Sequence, residues 1–203
     1  MVKKIENTEE KIIAAAREVF LRKGMDGARM QEIADEAGIN KSLLHYYFRS
    51  KDKLFDRVFT ETFKNVIDLI TEVFSSSITL ESFIENFVRG YTSVLIKKPY
   101  IANFVLHELS RNPQRVVEHI NLTNFDKLKL ASLISSEDKN TIRQFNPIQI
   151  IVDILALCIF PFVAKPIIKG FMFDGDIEEY NIFIDQRTQH IIEFVKSAVF
   201  IQK

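Results

Sequence analysis

Residues 28–54 of this 203-residue chain read ARMQEIADEAGINKSLLHYYFRSKDKL. Apolar residues recur at helical spacing as far as Ala37, Gly38 interrupts them, and the same spacing resumes after Asn40. Two short helices joined around a glycine are the pattern of a helix-turn-helix. The stretch therefore predicts a DNA-binding element whose second helix enters the major groove.

The second short helix is expected to expose a polar face, because Leu44 and Phe48 hold its opposite side in the core. The outward residues are Lys41, Ser42, Leu43, His45 and Tyr46. A lysine can donate to guanine O6 and N7, serine and histidine can bond bases or phosphates, and leucine or tyrosine can touch thymine methyl groups. Tyr47 and Lys51 suit phosphate contacts at the start of the next helix.

A wider stretch carries a family resemblance. GINKSLLHYYFRSKDKL, together with the preceding TEEKIIAAAREVFLRKGMDGARMQEIADEAG, resembles the DNA-binding region of the TetR family of transcriptional regulators over about residues 8–57. The resemblance implies a DNA-binding domain at residues 1–52 and a helical effector-binding and dimerisation domain at residues 53–203. It also implies that the chain is a regulator of transcription.

Three residues depart from the family pattern. Arg29 stands where serine or threonine usually caps the following helix, and a charged phosphate contact replaces the cap in our interpretation. Gln31, on the same short helix, completes the predicted DNA-contacting set. Leu43 is larger than the residue usual there, and His45 replaces a usual tyrosine, so the operator preference of relatives does not transfer.

The remaining chain is predicted to be all-α, since helical spacing prevails and no segment alternates as a strand would. A long helix from Lys51 to about Phe74 joins the two domains. Asn146 and Pro147 predict the start of an apolar helix over about residues 147–169, kinked by Pro161 and Pro166. With a second helix over about 177–201, it predicts a four-helix bundle in a homodimer.

A small-molecule effector of unknown identity is implied by the resemblance. Asn103 and His107 lie one helical turn apart, and as buried polar groups they would need partners. They are therefore the predicted polar contacts of a ligand. The predicted ligand-binding residues are Asn103, Phe104, His107, Phe87 and Tyr91.

Catalytic readings are weak. His107 and Glu108 begin like a zinc-protease helix, but position 111 is Arg111 where that motif needs a second histidine. The single cysteine, Cys158, lies in an apolar run typical of a buried thiol. We therefore expect no enzyme, no cofactor and no metal site.

Charge and hydropathy bear on two further questions, the attraction of the chain to DNA and the presence of a membrane span. The 27 basic residues equal the 27 acidic ones, so attraction to DNA must come from the local basic window at residues 37–53. A membrane span at residues 148–168 is disfavoured by its charges and prolines, and a cytoplasmic location is expected. The sequence thus predicts a homodimeric repressor released from a palindromic operator by a small apolar or amphipathic ligand; a helical ligand-binding or adaptor protein without DNA binding is the alternative.

Overall fold

The computed structural model describes residues 2–121 and 127–201, and within them the chain is helical, as predicted. The helices are α1 (Val2–Gly27), α2 (Met30–Glu36), α3 (Lys41–Tyr47), α4 (Lys51–Ser76), α5 (Leu80–Lys97), α6 (Tyr100–Arg111), α7 (Pro113–Asn121), α8 (Lys127–Ser136), α9 (Pro147–Val163), α10 (Lys165–Ile167) and α11 (Ile177–Val199). A π-helical turn, Ile168–Met172, lies between α10 and α11. The β-structure of these residues is one antiparallel bridge, between Ile142 and Phe200.

The chain divides into two compact units, Met1–Lys64 and Asn65–Lys203. The predicted boundary at residue 52 instead falls near the start of α4, and the first unit ends within that helix. The first turns of α4 belong to the first unit because their aromatic side chains pack there: the rings of Phe20 and Phe55 meet edge to face, 5.0 Å apart. A domain boundary placed at a helix start misses this packing.

Two glycines shape the first unit. Gly24 has a φ of 67°, which breaks the helical geometry near the end of α1. Gly38 has the same φ and turns the chain between α2 and α3, in a conformation that other residues adopt only with strain. Ile33 and Ala34 of α2 and Leu44 of α3 are all fully buried. The burial of Leu44 determines which face of α3 reaches the surface.

In the second unit, α5 packs closely on the last part of α4. The N-cap of α5 is Thr79, whose hydroxyl accepts a hydrogen bond from the backbone N–H of Ser82 at 3.1 Å. A Cβ added at Gly90 would lie 2.3 Å from the Leu69 side chain. Gly90 therefore allows the two helices their close approach.

The apolar helix α9 starts as predicted but ends earlier. The Asn146 side chain accepts a hydrogen bond from the backbone N–H of Ile148 at 2.9 Å, and Pro147 takes the first helical position. The prediction of one helix to about residue 169 is wrong: α9 ends at Val163, and the next helical piece is bent from it by 59°. A proline within the last turn of α9, Pro161, removes one backbone donor close to this break.

No single helix in the described ranges is long and apolar enough to cross a membrane. The bent pair Pro147–Val163 and Lys165–Met172 reaches that length and composition only when its two parts are taken together.

Candidate nucleic-acid interface

The α3 helix is held by a few local interactions. Asn40 caps it, with its side-chain oxygen accepting a hydrogen bond from the backbone N–H of Leu43 at 2.8 Å. Leu44 is fully buried, and Phe48 at the C-terminal end is nearly so. These two side chains fix the rotation of α3 about its axis, so the opposite face must point to solvent.

That opposite face carries the predicted base-contacting residues together. Lys41, Ser42 and His45 are exposed, Tyr46 is 80% exposed, and Leu43 is 36% exposed. Tyr47 is half-buried, and its ring meets Tyr46 edge to face at 5.6 Å. The surface therefore combines a cation, two small hydrogen-bonding groups and apolar ring edges, which is a set of groups able to read base edges.

The start of α2 is stabilised by a glutamate. Arg29 is exposed, and Glu32 accepts a hydrogen bond from the backbone N–H of Arg29 at 3.3 Å. Glu32 also pairs with Lys23, whose hydrogen bond holds the pKa of Glu32 below its usual range. The guanidinium of Arg29 is thus outside the cap and at the surface. Gln31 donates instead to the carboxylate of Asp35 at 2.8 Å, one turn along the same helix.

Lys51 has a structural role that the sequence did not indicate. Its ammonium donates to the backbone carbonyls of Asp26 at 3.3 Å and Ala28 at 3.1 Å. The lysine therefore ties the start of α4 to the end of α1, and a phosphate contact would have to share this ammonium. Two exposed cations beside it, Arg49 and Lys53, were left out of the predicted set although they lie in the same basic window.

The predicted ligand-binding set is divided between buried and exposed residues. Phe87, Tyr91 and Phe104 are buried, but the assumption that Asn103 and His107 are buried polar groups is wrong, since both are exposed. The inward stripe of α6 is occupied by other residues, Ile101, Phe104 and Glu108. Phe87 stacks within a row of rings on α5, 5.7 Å from Phe83 and 6.1 Å from Tyr91.

Glu108 is the buried polar residue of α6 that sequence reasoning missed. It is fully buried, and its Oε1 accepts a hydrogen bond from Arg115 of α7 at 2.9 Å. Burial raises the pKa of Glu108, although Arg115, Arg111 and His107 favour the charged form. Its position four residues after Phe104 places it on the same face of the helix, but this spacing alone does not show that the face is buried.

An open cleft of about 350 Å³ lies between α5 and α11, away from α6. At its edge the ammonium of Lys196 pairs with Glu81 and with Glu85, the latter at 3.0 Å. None of the five predicted ligand-binding residues lines this cleft. Elsewhere in this unit the thiol of Cys158 is fully buried, and burial raises its pKa to about 12.

The α9 and α11 helices present apolar side chains to solvent. On α9 the exposed residues Ile148, Val152, Ala156 and Phe160 are spaced four apart and form one stripe, with Ile148 71% and Phe160 63% exposed. On α11, Ile182 and Phe194 are more than half exposed. Large exposed apolar patches usually mark an interaction surface.

Comparison with known proteins supports the reading of the first unit. The sequence model of the TetR family, described as bacterial regulatory proteins, matches residues 12–58. The chain is 40% identical over 50 residues to the transcriptional repressor NicS of Pseudomonas putida, a match that covers 25% of this chain and 24% of that protein. The alignment therefore spans about a quarter of this relative's length.

Matches that extend over most of the chain have lower sequence identity. The probable transcriptional regulator YttP of Bacillus subtilis is 23% identical over 180 residues, covering 86% of each chain. The crystal structure of a TetR-family transcriptional regulator from Haemophilus influenzae RD aligns with a TM-score of 0.67 at 16% identity, over 98% of this chain and 99% of that one. This likeness extends to the fold of both units.

Proposed function

This chain belongs to the TetR family of transcriptional regulators and carries that family's helix-turn-helix domain, and we propose that it is a homodimeric repressor of a palindromic operator. Family members are regulators and not enzymes. The repressor NicS, similar over the DNA-binding region, supports the choice of repression. A regulator of this kind would act in the cytoplasm, because it must bind chromosomal DNA there.

The observation that carries this proposal is the outward face of α3. A short helix held in place by Leu44 presents the hydrogen-bonding side chains of Lys41, His45 and Tyr46 to solvent. Inserted in a major groove, these groups meet base edges. Arg29, Arg49 and Lys53 flank the helix with positive charge suited to phosphates.

Dimerisation is supported by the exposed apolar stripe of α9 and its neighbours on α11. A second copy offering the same stripe would bury these side chains in an isologous interface, in which each surface pairs with its own copy. The two α3 helices must then stand about 34–36 Å apart to enter successive turns of the major groove. Such a geometry requires an operator with two inverted half-sites.

Release by a small apolar or amphipathic effector completes the proposal. Three residues separate the end of α3 from the start of α4, and α4 continues into the second unit, so a ligand that shifts α4 also acts on the DNA-binding unit. The ligand lowers operator affinity by the free energy with which it prefers the DNA-free arrangement of the dimer over the DNA-bound one. Such coupling free energies are typically about 1–3 kcal/mol.

The test begins by selecting genomic DNA fragments bound by the full chain and measuring the selected duplex by fluorescence anisotropy at several salt concentrations. Lys41→Ala and Tyr46→Ala are expected to abolish specific binding with an unchanged circular dichroism spectrum. Lys139→Ala, an exposed lysine of the second unit, is the matched control and should bind normally.

Affinity that falls with rising salt is expected, because phosphate contacts release counterions. Enrichment of no sequence, together with no salt-dependent affinity for any duplex, would favour the ligand-binding or adaptor alternative. Normal operator binding by both α3 variants would contradict the assignment of the reading face.

A further inference from the structure

The short segment between α9 and α11 exposes three large apolar side chains. Ile167 of α10 is 66% exposed, and Phe171 and Met172 of the π-helical turn are 81% and 66% exposed. We call these three residues the apolar tip. Exposed apolar patches often mark interaction surfaces, and π-helical turns, which are rare, often occur at functional sites. The apolar tip lies outside the α9 and α11 stripes that the proposed function assigns to the dimer.

The backbone around the apolar tip is anchored by neighbouring residues. Ile168 is buried, and the backbone N–H of Gly175 donates a hydrogen bond to the carbonyl of Lys169 at 2.8 Å. On the C-terminal side, the ring of Phe173 contacts the ring of Phe183 on α11, with centroids 5.7 Å apart. These contacts fix which side chains of the turn point inward, so the three residues of the tip are held outward.

The apolar tip continues the exposed surface of α9 across the bend. Ile167 follows Phe160, the last residue of the α9 stripe, by seven residues, and Phe171 follows Ile167 by four. The helical piece Lys165–Met172 is inclined by 59° to Pro147–Val163. The tip therefore turns away from the axis of α9 at the end of its stripe. A partner seated on that stripe would have the tip at its edge.

The area that a stable dimer needs favours a second copy of this chain as the partner. Obligate homodimers bury about 1,000 Å² or more per copy, of which about 65% is apolar. At roughly 150–200 Å² for each full side chain, the most exposed apolar residues of the two stripes offer only roughly 500 Å². These residues are Ile148, Val152, Phe160, Ile182 and Phe194. The apolar tip adds roughly 400 Å² on the same basis, which brings the total above the requirement.

The charges beside the apolar tip distinguish a second copy from a lipid surface. Lys165 and Lys169 lie on its N-terminal side, whereas the exposed acids Asp174, Asp176 and Glu178 follow it. An anionic membrane would attract the lysines but repel the more numerous acids. A contact between two copies can instead place the basic side of one segment opposite acidic groups of the other.

We propose that the apolar tip is an arm that packs on a second copy of this chain, beyond the α9 and α11 stripes. The inference rests on the proposed function in that it assumes the homodimer. Phe171 is the main contact of the arm, because its ring is the most exposed of the three side chains.

The first experiment measures the dimer dissociation constant of the full-length protein by sedimentation equilibrium. Phe171→Ala is expected to raise this constant at least about tenfold, because two-fold symmetry removes the ring from the interface twice. Ile78→Ala is the matched control, since it removes an equally exposed apolar side chain between α4 and α5. Both variants should keep the circular dichroism spectrum of the wild type, and the control should keep its dissociation constant.

The second experiment uses the wild-type protein and so does not depend on the folding of a variant. Met172 is exposed in the single chain, so dilute hydrogen peroxide should oxidise it readily below the dimer dissociation constant. Above that concentration the partner covers it, and oxidation measured by mass spectrometry should be several-fold slower. Met30 of α2, in the first unit, is the reference in the same sample and should oxidise at one rate throughout.

A folded Phe171→Ala variant that dimerises with wild-type affinity would overturn the inference, as would oxidation of Met172 that does not depend on protein concentration. Both results leave the proposed homodimer intact. Binding to phosphatidylserine vesicles that is lost in Phe171→Ala, with an unchanged dimer, would assign the arm to lipid and also overturn the inference. A wild-type protein that stays monomeric at every concentration would contradict the proposed homodimer itself, and the arm with it.

Discussion

Replacing Leu44 by alanine tests how the α3 helix is held. Leu44 is fully buried, with a relative exposure of 0%. It is the one buried residue among the seven of α3. Leucine-to-alanine changes at buried sites cost about 2–5 kcal/mol, through lost burial and the cavity that remains. Because neighbouring Ile33 is also fully buried, we expect about 3 kcal/mol.

The adjacent leucine is a matched control. Leu43 is 36% exposed on the opposite side, so Leu43→Ala should change stability by no more than about 0.5 kcal/mol. Under the proposed function its effect should appear instead in operator binding, since Leu43 is a proposed contact to a thymine methyl group. The two variants thus separate the contribution of α3 to stability from its proposed contribution to DNA recognition.

The assay is urea unfolding followed by circular dichroism, with operator binding measured on the same preparations. The reasoning is refuted if Leu44→Ala costs less than about 1 kcal/mol, or if the two variants lose equal stability. Either result would mean that α3 is not anchored through Leu44.

Four other predictions concern the second unit. Asn146→Ala removes the side-chain acceptor at the start of α9 and should cost about 0.5–2 kcal/mol in urea unfolding, while the exposed Gln149→Ala should cost little. Cys158, buried and with a pKa near 12, should react with a thiol reagent only as the protein unfolds; rapid labelling of folded protein would contradict its burial. Burial raises the pKa of Glu108 above its ordinary 4.5, so the folded protein holds this proton more tightly than the unfolded chain, and the unfolding free energy contributed by Glu108 should fall as pH rises from 4.5 through the folded-state value. Glu108→Gln should flatten that slope in unfolding curves measured across this range, and an unchanged slope would exclude Glu108 as its source. Phe160→Asp places a charge in the exposed stripe of α9 and should shift sedimentation towards the monomer, with unchanged helicity; a stable dimer would remove this stripe from the interface.

Helix starts could be predicted from the sequence because capping is local. Asn40, Thr79 and Asn146 each accept a hydrogen bond from a backbone N–H two or three residues further along the chain. The outward face of α3 was predictable for a similar reason, since its few apolar positions leave one possible orientation. Both features depend on residues close together in sequence.

The orientation of α6 could not be predicted in this way. Its apolar residues cover much of the circumference, including Ile101, Phe104 and the exposed Leu109, so the pattern does not select one buried face. The packing of α6 in the second unit selects the face with Glu108 and leaves Asn103 and His107 outside. Helical spacing alone therefore did not show that Asn103 and His107 would be exposed.

By itself, the sequence determined the all-α class, the helix-turn-helix and the face of α3 that points to solvent, because each follows from helical spacing and capping over a few turns. Tertiary structure decided the burial of Glu108, the end of the first unit at Lys64 and the bond from Lys51 to carbonyls 23 and 25 residues earlier. The physical reason is that side-chain burial and long-range hydrogen bonds depend on which helices pack together. No local pattern contains that information.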